Sequence, residues 1–187
     1  MAETDTDPSD GLVERARTGD EAAFSELVQR HGPYAHRVAY LITRSADDAD
    51  DALQDGTVKA YYALERFRRG APFRPWYVTI VANEARNRAR SSRRRVGLQL
   101  RLRSEVDPPP AGPADQADID ARRRAVRDAV DALPERYRQA VALRHLMGMS
   151  ERDTAAALGV RPGTVKSRIS RGLERLRTSL GEEHLDV

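Results

Sequence analysis

The sequence predicts an all-α protein made of two small helical domains that are joined by an extended, proline-rich linker. No stretch shows the strict alternation of apolar and polar residues that marks a half-buried strand. Alanine, leucine and valine dominate the apolar residues and only 5% of the chain is aromatic, which favours helical bundles over sheets. The segment SEVDPPPAGPADQA, residues 104–117, has three consecutive prolines and no apolar periodicity, so we expect a semi-rigid linker there.

These signals divide the 187 residues into five parts. We expect a disordered acidic tail at 1–10, an N-terminal domain at 11–103, the linker at 104–117, a C-terminal domain at 118–181 and a short tail at 182–187. Cysteine is absent, which excludes disulfides and thiolate-bound zinc. The acidic start is unlike a secretory signal, and no apolar run approaches the roughly 20 residues that span a bilayer. A cytoplasmic protein without a membrane partner is therefore expected.

Charge is segregated along the chain, although its sum is only +3. Acids are concentrated in residues 1–55, whereas Glu65 and Glu84 are the only acids from Lys59 to Arg103. Such segregation indicates two faces with different partners, one of them a polyanion. The alternative is an arginine-rich surface that is simply solvated.

Four helices are expected in the N-terminal domain. Apolar residues with helical spacing predict the first helix, which is broken at Gly19. We expect the group His31-Gly32-Pro33 to end this helix before a second helix begins. Ser45 is a predicted N-cap of the third helix, with aspartates in the first turn where the helix dipole favours acids. A loop at 68–72 then precedes a fourth helix that has Pro75 in its first turn.

The C-terminal domain is predicted to end in a helix-turn-helix. Two helices, at about 118–133 and 135–147, come first. In the following segment, SERDTAAALGVRPGTVKSRISRGLERLR, Ser150 has capping-box spacing, Gly159 is a helix stop and Pro162 restarts a helix. Two helices joined by so short a turn are typical of DNA-binding helix-turn-helix motifs.

The second helix of that motif has the chemistry of a recognition helix. Val165, Ile169 and Leu173 form one apolar stripe that must face the core. The remaining face carries short polar groups and cations, namely Arg161, Gly163, Thr164, Lys166, Ser167, Arg168 and Arg171. Such groups contact base edges and phosphates in the major groove, and Gly163 permits a close approach of the backbone. An ordinary solvated face is the alternative.

The stretch FRPWYVTIVANEARNRARSSRRR, residues 73–95, combines a core-forming stripe with a polar face. Its apolar stripe consists of small residues against which a neighbouring helix could pack closely, namely Val78, Val81, Ala82, Ala85 and Ala89. Another face carries Asn83, Asn87 and Arg90, with Arg86 beside them. Phe73, Trp76 and Tyr77 lie at the start of the helix. Aromatic rings beside arginines are typical of single-strand binding, although each ring taken alone is more often a core residue.

The acidic segment DADDALQDGTVKAYYAL, residues 48–64, indicates a different partner. Leu53, Val58 and Leu64 offer an apolar edge. Asp51, Gln54 and Asp55 lie alongside and would repel DNA, so a basic protein surface is the expected partner. A plain exposed amphipathic helix is the alternative.

These motifs together resemble an extracytoplasmic-function sigma factor of the sigma-70 family. LVERARTGDEAAFSELVQRH (12–31) resembles the opening helix of region two, and the acidic segment 48–64 resembles the helix that docks on core RNA polymerase. FRRGAPFRPWYVTIVANEARNRARSSRRR (67–95) is similar to the segment that melts and reads the minus-ten element. LPERYRQAVALRHLMGMSERDTAAALGVRPGTVKSRISRGLERLR (133–177) resembles region four, which reads the minus-thirty-five element.

The resemblance implies a promoter-specificity subunit and not an enzyme, with no cofactor and no metal. Its implied partners are the beta-prime clamp and beta flap of core RNA polymerase, promoter DNA both as duplex and as melted non-template strand, and an anti-sigma factor. The linker would thread through the polymerase between the two DNA-reading domains. Gly56 departs from the family pattern, because a better helix former usually stands there; the local cost is roughly 1 kcal/mol relative to alanine.

The resemblance also assigns roles to individual residues. The implied polymerase contacts are Asp51, Leu53, Gln54, Asp55, Val58 and Lys59. The implied minus-ten contacts are Arg69, Gly70 and Ala71, which would help form a pocket for a flipped base, and Phe73, Trp76, Tyr77, Asn83, Arg86, Asn87 and Arg90. The implied minus-thirty-five contacts are Arg161, Gly163, Thr164, Lys166, Ser167, Arg168, Ser170 and Arg171.

Two other classes of function are alternatives to this one. A conventional regulator would bind duplex DNA through the helix-turn-helix alone, but it would not need the arginine and aromatic segment 67–95. An enzyme acting on nucleic acid lacks support, because the four histidines are scattered without metal-ligand spacing. The dense aspartates at 47–51 could mimic a magnesium site, but consecutive side chains on a helix point in different directions around its axis.

Overall fold

The fold is described from a computed structural model, which covers residues 10–99 and 117–180. In these two ranges every regular element is helical, so the predicted all-α class is confirmed. The α-helices are α1 (Asp10–Arg17), α2 (Glu21–Thr43), α3 (Ala46–Ala63), α4 (Phe73–Gln99), α5 (Ala117–Ala132), α6 (Glu135–Val141), α7 (Glu151–Leu158) and α8 (Pro162–Leu180). A 3-10 turn (Leu64–Arg66) follows α3 and a π-helical turn (Ala142–Leu146) follows α6.

Two compact units make up the structure, one based on α1 to α4 and the other on α5, α6 and α8. The predicted linker at 104–117 lies outside the described residues except for Ala117, and so does the predicted tail at 182–187. The predicted tail at 1–10 lies outside them except for Asp10, which begins α1.

Local capping signals define several helix ends as predicted. The Ser45 hydroxyl accepts a hydrogen bond from the backbone N–H of Asp48 at 3.2 Å and so caps α3. The Ser150 hydroxyl likewise accepts from the N–H of Asp153 at 3.0 Å at the start of α7. Gly19 has φ +95° and separates α1 from α2, a left-handed conformation that favours glycine.

Helix α2 corrects the expectation that His31-Gly32-Pro33 ends a helix. The helix continues unbroken from Glu21 to Thr43 with Pro33 inside it. An internal proline costs about 3 kcal/mol. Residues on both sides of Pro33 bury the same stripe, and burial of one such side chain contributes about 1.5–3 kcal/mol, so packing outweighs the lost hydrogen bond. The buried residues are Ala23, Phe24, Leu27, Ala35, Val38, Ala39 and Ile42.

Helix α4 packs its small-residue stripe into the core of the first unit, as predicted. Its buried members are Val78, Val81, Ala82, Ala85 and Ala89. Gly56 of α3 is also buried, and a Cβ atom added there would lie 2.8 Å from Val81 Cγ2 and 2.9 Å from Val81 Cα. The departure from the family pattern at Gly56 therefore has a packing reason: it allows the backbones of α3 and α4 to approach closely.

The core of the second unit forms where α6 crosses α8. The core residues that pack together there are Ala129, Leu133, Tyr137, Val141 and Leu176. A Cβ atom added to Gly172 of α8 would lie 2.7 Å from Val141 Cγ2, so this crossing is also close. The helix predicted for 135–147 has the expected extent and stops before Gly148 at φ +63°, but its second half is a π-helical turn.

Thr154 in α7 gives a stability prediction. Its side chain is fully buried, and its hydroxyl has no hydrogen-bond partner among the described residues. An unsatisfied buried hydroxyl costs about 1–3 kcal/mol, whereas an apolar group of the same shape avoids that cost. We expect Thr154→Val to raise the free energy of unfolding by about 1 kcal/mol, which shifts the melting temperature of a small domain by about 4–8 °C. A calorimetric melting temperature at or below that of the unmodified protein would contradict it.

Candidate protein-binding and DNA-binding surfaces

One line of α3 side chains forms an acidic surface, defined here as Asp51, Gln54, Asp55 and Val58. All four are exposed, and Val58 is 52% exposed despite being apolar. Their spacing places them on one side of the helix. Leu53 is half-buried and lies on the other side, so the structure separates it from the other predicted polymerase contacts.

Arg88 of α4 holds the two carboxylates of the acidic surface. Its Nη1 lies 2.7 Å from Asp51 Oδ2 and its Nη2 lies 2.5 Å from Asp55 Oδ2. Partial burial disfavours the charged guanidinium, but the hydrogen bond to Asp55 and the charges of both aspartates outweigh it and raise the pKa of Arg88. Each aspartate has a second carboxylate oxygen, and about half of each side chain is exposed, so both can accept hydrogen bonds from a partner. Sequence reasoning missed Arg88, because only the packing of α4 on α3 brings residues 33 and 37 positions apart together.

Lys59 points to a different role from its neighbours. Its Nζ lies 2.6 Å from Oε2 of Glu84, whose side chain is only 13% exposed. Glu84 is the only acid between residues 66 and 104 of the sequence. Lys59 therefore neutralises the one acid on the otherwise basic helix α4, and the structure places it at the seam of α3 and α4.

The loop at 68–72 has a defined backbone shape. Gly70 has φ +69°, a left-handed conformation that a side chain at this position would strain. The N–H of Ala71 donates to the carbonyl of Arg68 at 3.1 Å, which closes the turn. Arg69 and Gly70 are exposed and Ala71 is half-buried, so the three residues predicted to form a base pocket lie together on a tight turn.

Helix α1 tethers this region. Glu14 Oε2 lies 3.5 Å from Nε of Arg69 in the loop, and Glu14 also pairs with Arg17 at 3.0 Å. Arg17 in turn donates to the backbone carbonyl of Glu65 at 3.4 Å. The sequence predicts only the i, i+3 pair of Glu14 with Arg17. It gives no signal for the contacts of α1 with Glu65 and Arg69, because these segments are about 50 residues apart.

The aromatic platform predicted at the start of α4 needs correction. Phe73 and Tyr77 are 1% and 0% exposed, so their rings are core and have no surface on which a base could stack. The hydroxyls of Tyr77 and Thr57 are 2.7 Å apart, and burial raises the pKa of Tyr77. Trp76 alone remains half-exposed, with its ring 4.8 Å from that of Phe67. The reason is that the helix register which exposes Trp76 turns the other two rings inward.

The polar face of α4 is placed as predicted. Asn87 and Arg90 are exposed, one turn apart, and Asn83 is half-buried on the same line. Arg86 donates a hydrogen bond to Oδ1 of Asn83, which leaves the amide nitrogen of Asn83 as a donor. This face can offer amide and guanidinium groups to a nucleic acid.

The helix-turn-helix also follows the prediction in its burial pattern. Val165 and Ile169 are buried, and the three-residue turn before α8 begins with Gly159 at φ +63°. The exposed predicted contacts are Arg161, Gly163, Lys166, Ser167, Ser170 and Arg171, whereas Thr164 and Arg168 are half-buried. Ser167 donates to the carbonyl of Thr164 at 3.0 Å, an interaction that a base contact would have to share.

The part of the chain that the structure describes holds no group of three or more acidic or histidine side chains arranged to bind a metal ion. None of the helices in that part is long and apolar enough to cross a membrane.

Comparison with known proteins adds the following. The family described as "Sigma-70 region 2" matches residues 27–95, and "Sigma-70, region 4" matches residues 123–176. The chain is similar to RNA polymerase sigma factor CarQ of Myxococcus xanthus, at 34% identity over 175 residues that cover 94% of this chain and 99% of the relative. It is also similar to the ECF RNA polymerase sigma factor SigM of Mycobacterium tuberculosis, at 38% identity over 163 residues, 87% of this chain and 80% of the relative.

Two solved structures share this architecture. CnrH in complex with the cytosolic domain of CnrY aligns with a TM-score of 0.64 at 28% identity, covering 95% of this chain and 99% of that one. The sigma factor RpoE in complex with the anti-sigma factor NepR, from Bartonella quintana, aligns with a TM-score of 0.64 at 28% identity, covering 86% and 98%.

Proposed function

Because this chain belongs to the extracytoplasmic-function group of the sigma-70 family, we propose that it binds core RNA polymerase, recognises two promoter elements and melts the minus-ten element. A sigma factor is an initiation subunit and not an enzyme. The observation that carries the proposal is the pairing of α3 and α4: one helix exposes an acidic surface and the other an asparagine and arginine face, with Arg88 between them. A regulator that binds only duplex DNA has no use for either surface.

The acidic surface is the proposed contact with the beta-prime clamp. Its two carboxylates suit a basic partner, and the exposed Val58 adds an apolar contact at the same place. The structure gives less support to Leu53 and Lys59 as polymerase contacts, because Leu53 lies on the other side of α3 and Lys59 forms an ion pair with Glu84. The beta flap is proposed as the partner of the second unit.

The proposed minus-ten site combines the loop with the polar face of α4. Arg69, Gly70 and Ala71 would hold a flipped base of the non-template strand, and Trp76 would supply the stacking ring. Asn83, Arg86, Asn87 and Arg90 would contact the melted strand. The buried rings of Phe73 and Tyr77 act beneath that surface as core residues.

We place region two at 11–103 and region four at 118–181, with the linker at 104–117 between the two DNA-reading domains. The solved structure of the similar sigma factor RpoE in complex with the anti-sigma factor NepR supports control of this chain by a protein of that kind. A protein with these partners would work in the cytoplasm, where polymerase and promoter DNA are found.

The minus-thirty-five contact gives a quantitative prediction. Arg171 is exposed on α8 and belongs to the face that is proposed to enter the major groove. We expect Arg171→Ala to weaken binding to the duplex minus-thirty-five element by about 1–3 kcal/mol, the range for one arginine that contacts a base. Fluorescence anisotropy with a labelled duplex measures the change. Unchanged affinity would move the reading surface to another face of the motif.

The function as a whole is tested with the unmodified protein and purified core RNA polymerase. We expect the two to co-elute, and we expect the complex to render thymines of the minus-ten element reactive to permanganate. Asn83→Ala should keep co-elution and lose reactivity. Duplex binding without co-elution would instead support a stand-alone regulator.

A further inference from the structure

Two arginines lie over the ring of Tyr137 in the second unit, and no part of the proposed function uses either of them. The guanidinium carbon of Arg136 lies 4.7 Å from the ring centroid and that of Arg175 lies 5.4 Å from it. Arg136 also donates a hydrogen bond to the phenol oxygen at 3.1 Å. The Arg136 hydrogen bond is the largest cause that lowers the pKa of Tyr137, and Arg171 lowers it further. Arg171 belongs to the same group by its place on α8, one turn before Arg175. We call Arg136, Arg171 and Arg175 the arginine cluster.

The buried side chain of Tyr137 holds the arginine cluster in place. Tyr137 is only 5% exposed and belongs to the core where α6 crosses α8. Stacking on an aromatic ring restrains a guanidinium while its N–H groups stay available in the plane. All three arginines are exposed. The cluster is therefore a preorganised set of donors that opens to solvent.

The charge of the arginine cluster is not balanced locally. None of its three members forms an ion pair with a carboxylate of the described residues, unlike Arg15, Arg30 and Arg88 in the other unit. Neighbouring guanidiniums repel one another. An anion that accepts several N–H bonds would relieve the repulsion, and phosphate oxygens match the guanidinium fork.

The position of the cluster favours DNA as the source of that anion. Arg171 and Arg175 are one turn apart on α8, and Arg168 and Thr164 continue the same line toward the start of the helix. The proposed reading face and the cluster are thus continuous along one helix. A helix that lies in the major groove has strand phosphates along both its flanks, so the flank nearest α6 should meet one of them.

We propose that Arg136, Arg171 and Arg175 bind a backbone phosphate of the promoter duplex beside the minus-thirty-five element. The proposal rests on the proposed function and adds α6 to the DNA-binding surface. Arg136 and Arg175 supply charge and position without reading a base, whereas Arg171 lies at the border of the two roles. Removal of Arg136 or Arg175 should therefore weaken all duplexes alike.

The test uses the full chain with single substitutions Arg136→Ala and Arg175→Ala. Affinities for the minus-thirty-five duplex and for a scrambled duplex are measured over a series of salt concentrations. We expect each variant to bind both duplexes about tenfold more weakly and to reduce the slope of log affinity against log salt by about 1. Arg177→Ala is the matched control, because Arg177 is an exposed arginine of the same helix on the opposite side. It should leave the slope unchanged.

Two further measurements keep the outcome clear. Arg136→Lys retains the charge and should retain the slope of log affinity against log salt. Circular dichroism melting shows whether Arg136→Ala is folded, and the lysine variant tests the proposal if it is not. If Arg136→Ala and Arg175→Ala match Arg177→Ala in DNA binding, the proposal is overturned while the proposed function stands. Loss of polymerase co-elution with normal DNA binding would also overturn it and assign the cluster to a protein partner. If the unmodified chain prefers no duplex, the proposed function itself fails.

Discussion

The double substitution D51R/D55R should abolish stable association with core RNA polymerase. Both carboxylates are about half exposed and lie on one side of α3, where they would face a basic partner. Reversal of two charges converts two attractions into repulsions, and disruption of a close interfacial charge pair costs about 2–5 kcal/mol. We expect at least about a 100-fold loss of affinity, equivalent to roughly 3 kcal/mol, in a binding titration with purified polymerase.

A control is needed because Arg88 sits against both positions. D51R/D55R alone would place three cations together and could loosen the contact of α3 with α4. The triple variant D51R/D55R/R88E restores an ion pair between the two helices with the charges exchanged. Exposed pairs of this kind contribute about 0–1 kcal/mol each, so the melting temperature of the triple variant should approach that of the unmodified protein. Its polymerase binding should remain lost; recovery of binding would show that the double variant had failed through its fold.

Gly56→Ala should destabilise the first unit even though alanine is the better helix former. The added Cβ would lie 2.8 Å from Val81 Cγ2 and 2.9 Å from Val81 Cα, and the second of these is backbone that moves only if α4 moves. Overpacking of this kind costs about 1–3 kcal/mol, and the gain in helix propensity offsets only about 1 kcal/mol of it. Urea denaturation should show a net loss of up to about 2 kcal/mol in the free energy of unfolding.

Gly11→Ala provides the comparison in the same unit. Gly11 lies in α1, and an added Cβ would meet no other part of the described structure within 4 Å. Here the helix propensity of alanine should dominate and stabilise by up to about 0.5–1 kcal/mol. If both substitutions stabilise, the close approach of α3 and α4 at Gly56 is not the constraint that the packing indicates.

Much of this molecule follows from local patterns in its sequence. The caps at Ser45 and Ser150, the small-residue stripe of α4 and the apolar stripe of α8 depend on side chains within one or two turns of each other. Local spacing therefore indicates these helix starts and these buried faces. The segregation of acids from bases likewise indicated one protein-binding and one DNA-binding surface, and the family resemblance was confirmed.

Features that depend on contacts between segments distant in sequence become visible only in the packed structure. There α2 continues through Pro33, Phe73 and Tyr77 lie in the core, and Gly56 allows α3 to pack closely on α4. The packing also brings Arg88 between two aspartates. In each case the free energy of burial or pairing across helices, several kcal/mol in sum for a packed stripe, exceeds the local preference of one residue. Local spacing specifies the helices, but the side chains that meet between them are known only once the helices are packed.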